Sequence, residues 1–316
     1  MNKKDFFSLS IVIPVFNDQE VLQELYIRLK PVVDKLTDNY EIILVDDGSK
    51  DNSWNEILQL RTLDDNIVAV KLARNFGQQN SIAAGLDISQ NEIVVLMDSD
   101  LQDKPEDIPL LINALVENDV SMAIAQWDER KDSPFKLFVS KLFYQVSNRI
   151  TSIHTQPFLG VFRAMKREVV LEMKNFPEKT ASTLSILYYI GSDYIAVPLK
   201  RDARFAGKSG YNLRKMLSLT ASRIFSFSMF PIRIATYIGF SISLISFVYG
   251  IVLIIKRLLG NVSVGWTSTI VLILFLFGLN FAFLGILGEY VGKIFLETKQ
   301  RPKYLIGKII KKNKNG

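Results

Sequence analysis

The chain has 316 residues, enough to bury a core in one large domain or two smaller ones, and 48% of them are hydrophobic. It contains no cysteine and a single histidine, His154, which excludes disulfides, thiolate metal sites and a cysteine nucleophile, and argues against a multi-histidine zinc centre or a serine–histidine triad. The net charge of +6 gathers in the tail, where Lys293, Lys299, Arg301, Lys303, Lys308, Lys311, Lys312 and Lys314 face only Glu297; beside apolar segments this reads as contact with anionic lipid headgroups rather than nucleic acid.

The N-terminus begins like a signal peptide, Met1-Asn-Lys-Lys-Asp-Phe-Phe7, but Pro14, Asn17, Asp18 and Glu20 interrupt the apolar run. Leu9–Val15 is therefore expected to be a first strand. Glu20–Leu36 repeats apolar residues at helical spacing, Tyr40–Val45 is a second strand, and a helix opens near Asp51 or Ser53. Ile67–Leu72 is the third strand, Ser81–Leu86 starts a helix, and Ile93–Met97 is the fourth strand. This alternation predicts βαβ units and a parallel sheet, whose ligands bind beyond the carboxyl ends of the strands. Pro14–Asn17, Asp46–Ser49, Arg74–Gln79 and Asp98–Asp103 all fall there, so four polar loops are expected to converge on one rim.

Further along, Ile108–Glu117 and Phe135–Arg149 read as helices, and Ser121–Ala125, Val161–Met165 and Ile195–Pro198 as strands. Arg201–Tyr211 is a basic, glycine-containing loop. Leu213–Phe230 mixes Arg214, Lys215 and Arg223 with phenylalanines and suits a membrane interface. Ile234–Ile255 and Thr267–Gly288 are uncharged runs, each longer than the roughly 20 residues that cross a bilayer core. Buried helices of a soluble core are the alternative, although such helices are rarely apolar on every face. Basic residues are denser on the outer flanks than in the connector carrying Lys256 and Arg257, so the large domain and the tail are both expected on the cytoplasmic side.

The chemistry is expected to rest on carboxylates. In Asp98-Ser-Asp-Leu-Gln-Asp103, behind the fourth strand, Asp98 and Asp100 suit a hard cation, Mg²⁺ or Mn²⁺, carrying a diphosphate. Continued strand alternation would point both the same way, with Gln102 adding a neutral oxygen. A capping or solvated acidic turn is the plainer alternative. Asp46-Asp-Gly-Ser49 is either a simple βα turn or a carboxylate pair facing a nucleobase or ribose. No Gly-x-Gly-x-x-Gly follows the first strand and no Gly-Lys-Ser/Thr loop occurs, which argues against a dinucleotide fold and a P-loop kinase. Arg201, Arg204, Lys208 and Ser209 suit either phosphate oxygens or lipid headgroups. Arg130, Lys131, Lys136 and Lys141 form a second cationic cluster, or a solvated charged face. His154 is left structural.

The order Ile13-Pro-Val-Phe-Asn-Asp18, Val45-Asp-Asp-Gly-Ser49, Ala73-Arg-Asn-Phe-Gly77, Asp98-Ser-Asp-Leu-Gln-Asp-Lys-Pro-Glu106 and Arg204-Phe-Ala-Gly-Lys-Ser-Gly-Tyr211 resembles the polyprenyl-phosphate glycosyltransferases, inverting family-two enzymes. The tail from Gly288 to Tyr304 resembles their bactoprenol branch. The resemblance covers nearly the whole chain. It implies a GT-A fold, a doubly wound mixed α/β sheet over residues 1–210, followed by an amphipathic juxtamembrane segment (211–232), two transmembrane helices (233–288) and a basic cytoplasmic tail (289–316). By the same resemblance, Asp98, Asp100 and Gln102 would hold Mg²⁺ or Mn²⁺ under a UDP- or GDP-sugar. Pro14, Val15 and Asp46 or Asp47, with Arg74 beside them, would meet the nucleoside side. Arg130 and Ser140 would meet the lipid phosphate, and Arg204 and Ser209 would close over the diphosphate. The place implied is a bacterial inner membrane, and relatives can assemble as homo-oligomers through their membrane helices.

Two positions depart from the family pattern. Gly160-Val-Phe-Arg163 stands where relatives usually show Gly-Asp-Phe-Arg, and Trp127 where an arginine is common. A lipid monophosphate is already anionic near neutral pH, so its attack needs no strong general base. A transferase of the same fold acting on a lipid-linked saccharide or glycerolipid, and a non-catalytic membrane partner, are the rival readings.

Overall fold

The computed structural model describes residues 7–127, 159–176, 178, 181–190, 193–200, 228–259 and 265–311. The expected Phe135–Arg149 helix, the Arg201–Tyr211 loop and most of the juxtamembrane segment lie outside them.

The first half alternates as its sequence pattern requires. Strand β1 (Leu9–Val15) leads to helix α1 (Leu22–Leu36), β2 (Tyr40–Asp46) to α2 (Ser53–Leu63), β3 (Ile67–Leu72) to α3 (Gln78–Ile88), and β4 (Ile93–Leu96) to α4 (Ile108–Glu117). Every residue of β1 and β4 is buried, as expected of parallel strands covered on both faces. After β5 (Met122–Trp127) come β6 (Leu159–Lys166), α5 (Arg167–Lys174), α6 (Thr183–Ile190) and β7 (Tyr194–Leu199). The chain then forms two long helices, α7 (Phe230–Leu258) and α8 (Trp266–Thr298), and a last strand, β8 (Ile306–Ile310).

Among the described residues these strands make one sheet in the order β7-β5-β6-β4-β1-β2-β3-β8. Strands β4, β1, β2 and β3 run parallel, β6 is antiparallel to β4, β5 antiparallel to β6, and β8 antiparallel to β3. One face packs Leu22, Leu25, Ile57 and Leu111 of α1, α2 and α4 against Ile11, Ile13 and Val95. The opposite face packs Ile82, Leu86, Val170 and Ile186 of α3, α5 and α6 against Val12, Val45 and Val94. The strand order reverses at β1, with β2 on one side and β4 on the other, and crevices for ligands form at such a reversal.

Two expectations are corrected here. The tail does not simply trail along a lipid surface, because Ile306–Ile310 folds back as the eighth strand of the sheet. The second long helix also continues past Gly288 to Thr298. The apolar stretches Phe230–Leu253 and Val271–Thr298 have mean hydropathies of 1.8 and 2.5, and an 18-residue window of each has no buried residue. A core helix of a soluble protein would be covered, and these two are long and apolar enough to span a membrane.

Candidate active site

The four polar loops meet at the carboxyl rim, joined in a closed ring of hydrogen bonds. The first and second loops are stitched where the Asn17 amide donates to Ser49 Oγ (3.0 Å), the Lys50 amide to Asn17 Oδ1 (2.8 Å) and the Asp18 amide to Ser53 Oγ (2.9 Å). Asp47 joins the second to the third, accepting from the amides of Phe76 (2.7 Å) and Gly77 (2.9 Å). Gln78 Nε2 donates to Asp98 Oδ1 (2.7 Å), joining the third to the fourth. Ser99 Oγ donates to Asp18 Oδ2 (2.6 Å) and closes the circle.

Gly48 explains how two of these loops come so close. Its φ of +68° is strained for any residue with a Cβ, and a Cβ there would lie 2.6 Å from both Arg74 C and Asn75 N. The turn is thus both a βα turn and a wall of the rim.

Asp46 and Asp47 are buried. Asp46 Oδ1 accepts from the Ser49 amide (3.0 Å), while Oδ2 is enclosed without a hydrogen bond, 4.0 Å from Lys71 Nζ. Burial pushes the Asp47 carboxyl up, opposed by the Phe76 and Gly77 amides and the Ser81 side chain. Asp18 is also raised, first by burial and then by Asp100 and Asp51, against hydrogen bonds from Ser99 and Phe16. Pro14 and Val15 are buried at the end of β1, and Val15 O accepts from the Asp47 amide (2.9 Å). Arg74 is exposed, its guanidinium 4.8 Å from the centre of the Phe76 ring.

The acidic loop is a turn, which corrects the expectation of continued strand alternation. Regular pairing ends at Leu96, and Leu101 takes the left-handed backbone with φ +58°, a conformation that costs a residue with a Cβ roughly 1–2 kcal/mol. Asp100 Oδ1 accepts from the Gln102 amide (3.1 Å) across that turn, and Asp103 Oδ2 accepts from the Asp98 amide (3.3 Å). Asp98, Asp100 and Gln102 are each half-buried in this turn. Their donor set is all oxygen, as Mg²⁺ or Mn²⁺ prefers. Among the described residues no three Asp, Glu or His side chains gather around one point. Arg130, Ser140, Arg204 and Ser209 lie outside the described residues.

Sequence reasoning missed Gln78, Asp18, Ser99 and Arg163. Arg163 lies in β6 with no exposed surface. Its Nε and Nη2 donate to Val161 O and Gly160 O (both 2.9 Å), Nη2 also to Tyr188 Oη (3.2 Å), and the guanidinium sits 4.7 Å from the Tyr188 ring centre. Trp127 stands directly against Gly160, where a Cβ would fall 2.5 Å from the indole nitrogen. The two departures from the family pattern, Trp127 and Val161, are therefore neighbours at one edge of the rim.

The sequence model described as glycosyl transferase family 2 matches residues 10–173. The chain belongs to that family. It is 38% identical over 299 residues to an uncharacterized glycosyltransferase of Synechocystis, covering 94% of each chain. To the bactoprenol glucosyl transferase of Shigella phage SfX it is 38% identical over 300 residues, covering 94% of this chain and 98% of the relative. A prophage bactoprenol glucosyl transferase homolog of Escherichia coli is 35% identical over 305 residues, covering 96% and 99%. Among solved structures, glucosyl-3-phosphoglycerate synthase of Mycobacterium tuberculosis, in complex with Mn²⁺, UDP and glucosyl-3-phosphoglycerate, matches 69% of this chain and 78% of its own with a TM-score of 0.48 and 20% identity. Family membership rests on the sequence matches. The family-two chain is a glycosyltransferase with the mixed GT-A sheet, which sets aside the reading as a non-catalytic partner.

Proposed function

We propose that the protein transfers a sugar from a nucleotide-diphosphate donor to a polyprenyl phosphate at the cytoplasmic face of a bacterial membrane. The observation that carries this reading is the closed ring of four loops at the rim of a family-two domain, continued in the same chain by two bare apolar helices. Relatives named as bactoprenol glucosyl transferases align over nearly their whole length, helices included, and support the acceptor class.

Asp46 and Asp47 would shape the nucleoside side, with the ends of β1 at Pro14 and Val15 as its floor and Arg74 at its mouth. Asp98, Asp100 and Gln102 would hold Mg²⁺ or Mn²⁺, which when bound offsets charge on the departing diphosphate. Arg204 and Ser209 would add donors on that side, and Arg130 and Ser140 would orient the acceptor phosphate. A phosphate oxygen, already ionised, attacks the anomeric carbon as the bond to the nucleoside diphosphate breaks, inverting that centre. No side chain has to remove a proton, which suits a chain with Val161 at the β6 edge.

The test uses purified protein, Mg²⁺ or Mn²⁺, undecaprenyl phosphate and a panel of UDP- and GDP-sugars, reading released nucleoside diphosphate. Release with one donor is expected, requiring both lipid phosphate and metal, and falling at least about a hundredfold in Asp98→Asn. Release that ignores the lipid phosphate would overturn the acceptor.

A further inference from the structure

The C-terminal strand reaches the candidate site from an unexpected direction. β8 is the edge strand next to β3, and its first contacts are with the loop that leaves β3 for the rim. The Ala73 amide donates to Leu305 O (2.8 Å), and Leu72 pairs with Ile306 across a break in register. Gly307 lies so close to this loop that a Cβ there would stand 3.4 Å from Ala73 Cα and 3.5 Å from Ala73 N.

The other side of the same loop is the Asp46–Ser49 turn. Gly48 abuts Arg74 and Asn75, and Asp47 holds the Phe76 and Gly77 amides. Residues Ala73 to Gly77 are thus gripped between the turn and the tail. The next residue, Gln78, donates to Asp98. Just ahead of β8, the Tyr304 hydroxyl donates to Asp87 on α3, the helix that begins at Gln78. Tyr304 and Phe76 pack against one apolar cluster, and Ile310 packs against the cluster on the opposite face of the sheet.

The tail also reports to the membrane side. Helix α8 ends with Gln300 in the left-handed backbone (φ +49°), its amide donating to Glu297 O, and the chain then turns toward the sheet. Only Lys299 to Lys303 separate that helix from Tyr304, about 18 Å at full extension. Lys303 is half-buried among Asp87, Glu178 and Glu297, which belong to the catalytic domain and to α8.

We propose that Tyr304 and β8 are a positioning element of the site: they press the Ala73–Gly77 loop onto the Asp46–Ser49 turn, and so hold Gln78 against Asp98. The inference rests on reading this rim as the donor site. Tyr304 and β8 act on the donor site through that loop. The consequence is that the membrane helix hairpin is wired into the donor loop through its own C-terminal exit.

The test compares full-length wild type with Gly307→Val, Gly307→Ala and Tyr304→Phe, by hydrogen exchange at the Ala73, Phe76 and Gly77 amides, by UDP and GDP affinity and by thermal melting. An alanine methyl fits the 3.4 Å gap as ordinary contact, whereas valine adds two further methyls next to the same loop. In Gly307→Val the three amides are expected to exchange about tenfold faster, which is about 1.4 kcal/mol of lost protection. Nucleotide binding is expected to weaken several-fold, with the donor KM rising more than kcat falls and the melting temperature nearly unchanged. Gly307→Ala should restore wild-type values, and Tyr304→Phe should repeat the valine effect more weakly. Faster exchange in β8 with unchanged exchange at the three amides would overturn the coupling. So would an affinity loss that merely follows the loss of melting temperature. Wild-type protein that binds neither UDP nor GDP would overturn the donor-site reading instead, and the exchange data would then decide the coupling on their own.

Discussion

Asp51 is a half-buried acid at the rim that organises the backbone around it. Its Oδ1 accepts from the Ser53 amide (3.0 Å) and hydroxyl (2.6 Å), and its Oδ2 from the Gln19 amide (3.2 Å), so one carboxylate opens α2 and ties the first loop to the second. Burial works to raise its pKa, but the hydrogen bonds from Ser53 and Gln19 outweigh it and hold the carboxyl below 3.8. The unfolded chain therefore binds the proton more readily. The stabilisation is complete above 3.8 and disappears as pH falls through the depressed folded value. Replacing Asp51 by Asn keeps the shape and one acceptor, and is expected to cost about 1 kcal/mol at pH 7. In urea titrations the gap between the two proteins should close in acid; a gap that persists unchanged below the ordinary carboxylate range would refute this account. At this scale the sequence shows which residues are acidic and not which of them meet. The place of Asp98 and Asp100 just past β4 was legible because a strand of apolar residues runs straight into them. The Ser99–Asp18 and Gln78–Asp98 contacts were not, because each joins residues 81 and 20 positions apart through side chains that have no pattern of their own.

At the scale of elements, α3 depends on one glycine. A Cβ on Gly85 would fall 2.3 Å from Val12 Cγ1 and 3.1 Å from Val45 Cγ2, so the helix lies directly on β1 and β2. Alanine improves helix propensity by about 1 kcal/mol, but overpacking a filled core costs about 1–3 kcal/mol, and here the clash is severe. Gly85→Ala is expected to destabilise the protein, and adding Val12→Ala, which removes the nearest atom, should recover part of the loss. Denaturant unfolding of the two singles and the double would check this; strictly additive losses would show that the contact is not what limits the helix. The same elements show what a sequence discloses. Strands β1 to β4 and helices α1 to α3 announce themselves by buried runs and helical periodicity, strongly enough that Pro31 inside α1 does not end that helix. β8 was hidden for a physical reason. Ile306-Gly-Lys-Ile-Ile310 is five residues long, sits among lysines, and becomes a strand only by pairing with β3, over 230 residues earlier. A local pattern cannot disclose a partner that distant, and its lysines read naturally as lipid contacts.

For the whole molecule, the pairing of β8 with β3 constrains topology more firmly than the distribution of basic residues does. β3 precedes both apolar helices and β8 follows both, yet the two are hydrogen-bonded neighbours in one sheet. If α7 enters the bilayer, α8 must bring the chain back, so the catalytic domain and the tail share a side and the connector near Leu259 lies opposite. Helices of 29 and 33 residues are about 44 and 50 Å long, longer than the hydrocarbon core of about 30 Å, and the excess of α8 reaches toward the sheet. The chain has no cysteine, so a single introduced one is the sole site for a thiol label. In intact cells, an impermeant maleimide is expected to label Leu259→Cys and to spare Glu117→Cys in the catalytic domain and Lys311→Cys at the tail. Opening the membrane should expose all three. Labelling of Glu117→Cys and Lys311→Cys from opposite sides would break the β3–β8 pairing outright, because two strands of one sheet cannot lie across a bilayer from each other. Labelling of both from outside would keep the hairpin and reverse its orientation, placing the carboxylate rim away from the cytoplasmic supply of nucleotide sugars.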